Sequence, residues 1–296
     1  KLLFFITLIT TSFVAFAQSA SSAEVKMEGS EGTTLTGKVM ATFDQPWAMT
    51  FLPDGHSLVT EKEGVIWLLD KNQQKRFSVE NVPDVTARGQ GGLGDVIIHP
   101  DFATNNTIYV SYVERDPQDD AFSGAVIERA TLNITNNSAS LSDREIIWRQ
   151  SPKVTGNGHY SHRMVFSPDG YLFITSGERQ KFTPAQNMAM NLGKILRLND
   201  DGSVPDDNPF VGNGKVTGQI WTLGHRNPLG IDFDAEGNLW AHEMGPRHGD
   251  ELNIIERGRN YGYPMVSQGD HYSGIKIPNH EDFPVFKAPE KAWVPA

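Results

Sequence analysis

The sequence predicts an all-β chain whose antiparallel blades are set around a common axis. Three observations carry that expectation. First, an apolar pair, then Pro-Asp-Gly or a variant of it, then a strand-like run, recurs from Phe51, Ile97, Val165 and Ile231. Second, Thr107 to Val113, Tyr171 to Thr175 and Asn238 to Ala241 are β-rich, while helix signals are sparse. Third, the turn positions Pro53, Pro100, Pro168 and Ala235 are 47, 68 and 67 residues apart. Repeats stacked around an axis tolerate such uneven spacing, because insertions fall in loops on one face. A β-sandwich with similar hairpins is the alternative.

In chain order, Lys1 precedes an apolar run from Leu2 to Phe16, and Ala15-Phe16-Ala17 follows the small-x-small cleavage pattern. Residues 1–17 are therefore expected to be an export signal, which implies a periplasmic or secreted protein. A membrane anchor is the alternative, but the run is short and carries Thr and Ser. Residues 18–35 are rich in Ser, Thr, Gly and Glu and read as a flexible lead-in. The domain proper spans 36–296. The chain has no Cys, so export brings no disulfides. Its net charge of -10 disfavours nucleic acid and anionic membranes as partners. No stable membrane insertion is expected after the signal.

Within the domain, each turn signal has a mechanism. Pro presets φ and Asp-Gly supplies permissive positions, so each repeat opens with a hairpin. Gln186 to Leu192 suits one helical turn, and the Asp-rich stretch 200–209 reads as loop. Trp293-Val294-Pro295-Ala296 reads as the start of a fifth repeat after four good ones. An open ring leaves sheet edges unpaired, so the propeller is expected to lack its last blades here.

Four clusters bear chemistry. His159, in Asn157-Gly158-His159-Tyr160, precedes a repeat's first strand, and Glu178 follows the second. Antiparallel neighbours bring those positions to one end, so Glu178 can orient His159 as a general base. A loop histidine with an ordinary hydrogen bond is the other reading. Gly89-Gln90-Gly91-Gly92-Leu93-Gly94 lacks the surrounding βαβ unit of a dinucleotide loop; it is either a plain turn or one that presents Gln90 to the axis. Arg226-Asn227 either braces a loop or grips an anionic, planar ligand. Gly245-Pro246 with Asp250-Glu251, then Tyr261, is either a solvated acidic turn or a calcium site.

Together, GQGGLGDVIIHPDF, NGHYSHRMVFSPDGYLFITSGER, GHRNPLGIDF and GPRHGDELNIIERGRNYGYP resemble the soluble quinoprotein glucose and aldose sugar dehydrogenases, over a span from about Gln45 onward. EMGPRHGDELN is similar to the acidic loop of the aldose branch. The resemblance implies a six-bladed β-propeller of four-stranded antiparallel blades carrying pyrroloquinoline quinone (PQQ) and calcium. It implies oxidation of an aldose at its anomeric carbon, with an external electron acceptor, in a monomer or dimer. It gives His159 the role of base, puts Gln90 beside sugar or cofactor, and puts Arg226 and Asn227 on the quinone. The carbonyls of Gly245 and Pro246 become ligands of the cofactor's calcium. Glu251 and Tyr261, with Asp250 nearby, become ligands of a structural calcium. Two departures stand out: Glu178 occupies a position where the family usually has Asp, and Met244 one where the glucose-specific branch has Gln. Two rivals remain on sequence grounds, a calcium-dependent propeller lactonase or other hydrolase and a non-catalytic carbohydrate-binding propeller.

Overall fold

All four turn signals become the connection between the first and second strands of a four-stranded antiparallel sheet. The computed structural model describes residues 24–73 and 76–294, so the expected export signal lies outside the described residues. The chain divides into two units, Lys1–Thr42 and Phe43–Ala296.

The first unit departs from the flexible lead-in expected for 18–35. Its described part is an antiparallel hairpin, β1 (Glu24–Glu28) paired with β2 (Thr34–Lys38). Val25, Met27 and Leu35 alternate with polar residues, and Gly29 and Gly32 close the turn between them.

The second unit holds four blades. The first comprises β3 (Pro46–Phe51), β4 (Ser57–Glu61), β5 (Val65–Leu69) and β6 (Arg76–Glu80). The second comprises β7 (Leu93–Ile98), β8 (Thr107–Arg115), β9 (Phe122–Ile134) and β10 (Ala139–Arg149), with the short β11 (Val154–Thr155) added to β9. The third comprises β12 (Ser161–Phe166), β13 (Leu172–Ser176), β14 (Lys194–Leu198) and β15 (Ile220–Leu223). The fourth comprises β16 (Pro228–Phe233), β17 (Leu239–Glu243), β18 (Asp250–Ile254) and β19 (Lys291–Trp293). The first strands β3, β7, β12 and β16 lie side by side, so they form the axis. A parallel pairing of β6 with β10 stitches the first two blades at their outer edges.

Trp293 corrects one expectation. It closes the fourth blade as part of the outermost strand, opposite Asp250, rather than opening a fifth. The expected helical turn also shifts. It is a 3₁₀ turn at Thr183–Gln186, because Pro184 favours its start and Asn187 is already extended.

The core is stacked between blades. Leu58, Ile66 and Leu68 meet Val96, Ile108 and Val110, and Tyr109, Ile127 and Trp148 meet Met164, Ile174 and Leu196. Phe173 and Ile195 meet Leu239, Ala241 and Tyr261. Because neighbours cover both faces of a blade, β4, β13 and β14 are buried along their whole length and lose the simple in–out alternation. Each buried aliphatic side chain contributes about 1.5–3 kcal/mol, so the blade interfaces are what hold the strand ends in register.

Candidate active site

The site lies where β12 begins and β13 ends. The Ser161↔Ser176 pairing sets the segments that flank these strands side by side. His159, just before β12, therefore meets Glu178, just after β13, and His159 Nδ1 bonds Glu178 Oε1. Both side chains are buried. Glu178 also accepts the backbone N–H groups of Gln180 (2.9 Å), Lys181 (2.5 Å) and Phe182 (2.6 Å). Burial alone would raise its carboxyl pKa. The hydrogen bond to His159, then the N–H groups of Phe182 and Gln180, outweigh burial and hold the pKa below the ordinary carboxylate value. With Nδ1 engaged, Nε2 is the imidazole nitrogen left for a ligand.

The loop carrying His159 is strained. His159, Ser161 and His162 have φ of 50°, 58° and 55°, left-handed values uncommon for non-glycine residues. Arg179 clamps it: the guanidinium donates to the carbonyls of Gly158 (2.9 Å), Ser123 (2.6 Å) and Gly156 (2.6 Å). It also lies 3.6 Å over the Tyr160 ring. Gln90 Oε1 accepts the His159 backbone N–H at 2.7 Å, so Gln90 braces the same loop.

A cavity of about 240 Å³ is lined by His159, Glu178, Arg226, Pro246, Tyr263 and Tyr272. Arg226 reaches it from the start of β16, its backbone N–H held by Glu243 (2.6 Å) and its Nη1 by the Met244 carbonyl (2.9 Å). Its Nε is buried without a partner. A buried guanidinium donor with no acceptor fits an anionic, planar ligand such as a quinone oxygen. Gln90 and Asn227 line a neighbouring cavity at the axis instead. Asn227 Oδ1 accepts the Ser161 hydroxyl at 3.0 Å.

The acidic turn lies against the same wall. Gly245, Pro246, Glu251 and Tyr261 surround a space of about 10 Å³, one that admits a single small ion or water. Glu251 faces Glu243 directly across β17 and β18. Burial first, then the Glu243 carboxylate, pushes the Glu251 carboxyl well above the ordinary carboxylate range. Asn253 Oδ1 is buried nearby without a partner. Two buried carboxylates fit a hard divalent cation, which would neutralise the pair. Among the described residues no three His, Cys, Asp or Glu converge, so neutral oxygens must complete any such site. Two expected ligands serve other partners here. Asp250 Oδ1 accepts the Gly245 N–H at 2.9 Å, bracing the turn. The Tyr261 hydroxyl donates to the Ile254 carbonyl, its ring stacks 4.6 Å from His225, and its own carbonyl accepts from His280.

Sequence reasoning passed over Glu243, Asn253 and Arg179. For Glu243 the signal was present: the alternation of Leu239, Ala241 and Glu243 puts it on the buried face of β17.

Residues 43–296 match the family model described as glucose/sorbosone dehydrogenase. Aldose sugar dehydrogenase YliI of Escherichia coli K12 is 42% identical over 239 residues, which cover 79% of this chain and 63% of that protein. Quinoprotein glucose dehydrogenase B of Acinetobacter calcoaceticus is 32% identical over 267 residues, covering 82% of this chain and 55% of that protein. This chain thus spans less than two thirds of the length of either relative. The crystal structure of the apo-form soluble aldose sugar dehydrogenase from Escherichia coli superposes with a TM-score of 0.79 at 39% identity, over 84% of this chain and 72% of that one. The PQQ-bound aldose sugar dehydrogenase of Streptomyces coelicolor superposes at 0.70 with 28% identity, over 86% and 69%.

Proposed function

Because this chain belongs to the glucose/sorbosone dehydrogenase family, we propose that it oxidises an aldose at the anomeric carbon to the lactone, with His159 as general base. The observation that carries this reading is a single cavity that joins the His159–Glu178 pair to Arg226, whose buried Nε has no protein partner, and to Pro246. Bound there, PQQ would supply a hydride-accepting carbonyl carbon and calcium would supply Lewis acidity.

The chain's own groups do the rest. His159 Nε2 takes the proton of the anomeric hydroxyl as the C–H electron pair departs. Glu178, kept ionised, holds the proton on Nδ1 and stabilises the imidazolium. Arg226 lines the same cavity, so its guanidinium would stabilise negative charge that develops there. Tyr263, which is buried, and Tyr272, which is exposed, flank the cavity. Gly245, Pro246 and Glu251 would hold calcium, and an external acceptor completes turnover by taking the electrons away. From the expected export signal at residues 1–17, we place the protein in the periplasm or outside the cell.

A metal-dependent hydrolase of this architecture would need carboxylates around the axial opening. Among the described residues, the cavity at that end is lined by Lys62, Gln90 and Asn227 rather than by Asp or Glu. The test is dye reduction by aldoses after reconstitution with PQQ and calcium. Absence of dye reduction, with lactone hydrolysis in its place, would overturn the reading.

A further inference from the structure

We propose that Lys194 is a positioning residue for the cavity that His159 and Arg226 share: its buried ammonium fixes the loop that runs on from Glu178 against the turn that leads to Arg226. The catalytic consequence rests on the function proposed above; the structural tie does not. Lys194 opens β14, with Ser176, the last residue of β13, on one side and Leu223, the last of β15, on the other. It therefore sits between the strand that leads to Glu178 and the strand that leads to Arg226.

The side chain is fully buried, and Nζ donates to the carbonyls of Pro184 (2.8 Å), Ala185 (3.1 Å) and Leu192 (2.7 Å). An ammonium has three N–H donors, so the three carbonyls use all of them. Among the described residues no carboxylate pairs with it, and burial draws its pKa down to about 7. Removing a charge from water without a counter-ion is costly. A methionine would fill the same space without that cost, but it could not bind carbonyls from two separate stretches of one loop.

Ala185 is the junction. Its carbonyl accepts the Gly224 N–H at 3.0 Å as well as Nζ, and its N–H donates to the Phe182 carbonyl at 3.1 Å. In one direction the bonds run on to Glu178, whose carboxylate accepts the Phe182 N–H. In the other they reach Gly224-His225-Arg226, where the His225 N–H also donates to the Gly193 carbonyl at 3.2 Å. The packing leaves no slack at this point: a Cβ on Gly193 would lie 2.6 Å from Ala185 Cα and 2.7 Å from the His225 carbonyl oxygen. The loop needs such a tie, because Arg179, Gln180 and Phe182 have left-handed φ of 62°, 58° and 63°. Gln180 and Phe182 line the cavity, so the loop is part of its wall.

The test compares Lys194→Met with Asn208→Ala on the full chain. Asn208 is also buried and donates to the Arg197 and Gly218 carbonyls, both at 2.8 Å, so its loss strips buried bonds from the same blade without touching the loop. Hydrogen exchange of segment 178–187, read by mass spectrometry, should speed up about tenfold or more in Lys194→Met and stay at the wild-type rate in Asn208→Ala. At equal folded fraction, kcat for dye-coupled aldose oxidation with PQQ and calcium should fall about tenfold or more in Lys194→Met alone. Lys194→Gln keeps two N–H donors and should lie between wild type and Lys194→Met; it carries the same comparison if Lys194→Met does not fold. Wild-type exchange in both Lys194 variants, or equal acceleration in Asn208→Ala, overturns the tie. Faster exchange with unchanged kcat overturns the positioning role. A wild type that oxidises no aldose sinks the proposed function, while exchange still decides the tie.

Discussion

Glu178→Gln tests the base directly, because the hydrogen-bond pattern predicts which way the amide turns. One carboxylate oxygen serves His159 Nδ1 and the Gln180 N–H; the other serves the Lys181 and Phe182 N–H groups. Glutamine has only one acceptor oxygen. If its NH₂ faces Lys181 and Phe182, two buried donors lose their acceptor, at about 1–3 kcal/mol each. If it faces His159, one backbone donor is lost, and the NH₂ donates to Nδ1. The second arrangement is cheaper by roughly one such penalty, so the variant adopts it. The imidazole proton then sits on Nε2, where it blocks acceptance of the sugar hydroxyl proton. We expect kcat to fall about 10²–10⁴-fold in dye-coupled aldose oxidation, while PQQ affinity, read by fluorescence quenching, holds. The wild-type carboxyl ionises below its unfolded value of 4.5. The stability it lends is therefore present above that pH and lost as acidification passes its lowered folded value, a limb the Gln variant lacks. Unchanged kcat in a folded, PQQ-loaded variant would refute the assignment of His159 and its tautomer.

Three further outcomes follow from the geometry. Arg226→Met removes the unpartnered Nε donor and should weaken PQQ binding about tenfold or more by quenching titration; equal affinity removes Arg226 from the cofactor site. Calcium should raise the melting temperature of wild type in a concentration-dependent way, and Glu251→Gln should abolish most of that rise. A wild type indifferent to calcium and to chelators would count against the cation site. Gly94→Ala drives a methyl to 2.0 Å from the His162 ring and should destabilise the fold by about 1–3 kcal/mol or more in denaturant titration, with an unchanged midpoint contradicting the packing described.

Much of this was legible in the sequence because it depends on local rules. Turn signals such as Pro-Asp-Gly act locally, and the two Pro-Asp-Gly turns and their two variants each became the connection between the first two strands of a blade. His159 and Glu178 could be paired because antiparallel neighbours bring their flanking residues to one end. The rest depends on what packs against what. Trp293 misled because a three-residue strand carries no mark of whether it opens a blade or closes one. Gln90 could be directed toward the axis from its turn, but its role in holding the His159 N–H depends on a contact 69 residues away in sequence. Lys194 and Glu243 are unremarkable as letters. Their meaning comes from three loop carbonyls folded onto an ammonium in one case and from Glu251 across the sheet in the other.

The unusual backbone around His159 bears on how the site works. Left-handed φ at His159, Ser161 and His162 costs about 1–2 kcal/mol per residue, a strain a free loop would relax. The Arg179 guanidinium opposes that relaxation through bonds to three carbonyls, each contributing about 1.5–3 kcal/mol, of similar total size to the strain. Burial draws Arg179 down to about 10, still well above neutrality, so the clamp keeps its charge throughout the working pH range. Stored strain and a buried clamp of matching size make the loop rigid before substrate arrives. Glu178 adds to this from the neighbouring position, since its second oxygen is spent on backbone N–H groups rather than on chemistry. The imidazole is therefore positioned by the ends of two adjacent strands, and on the proposed reading an aldose would meet a base already set in place.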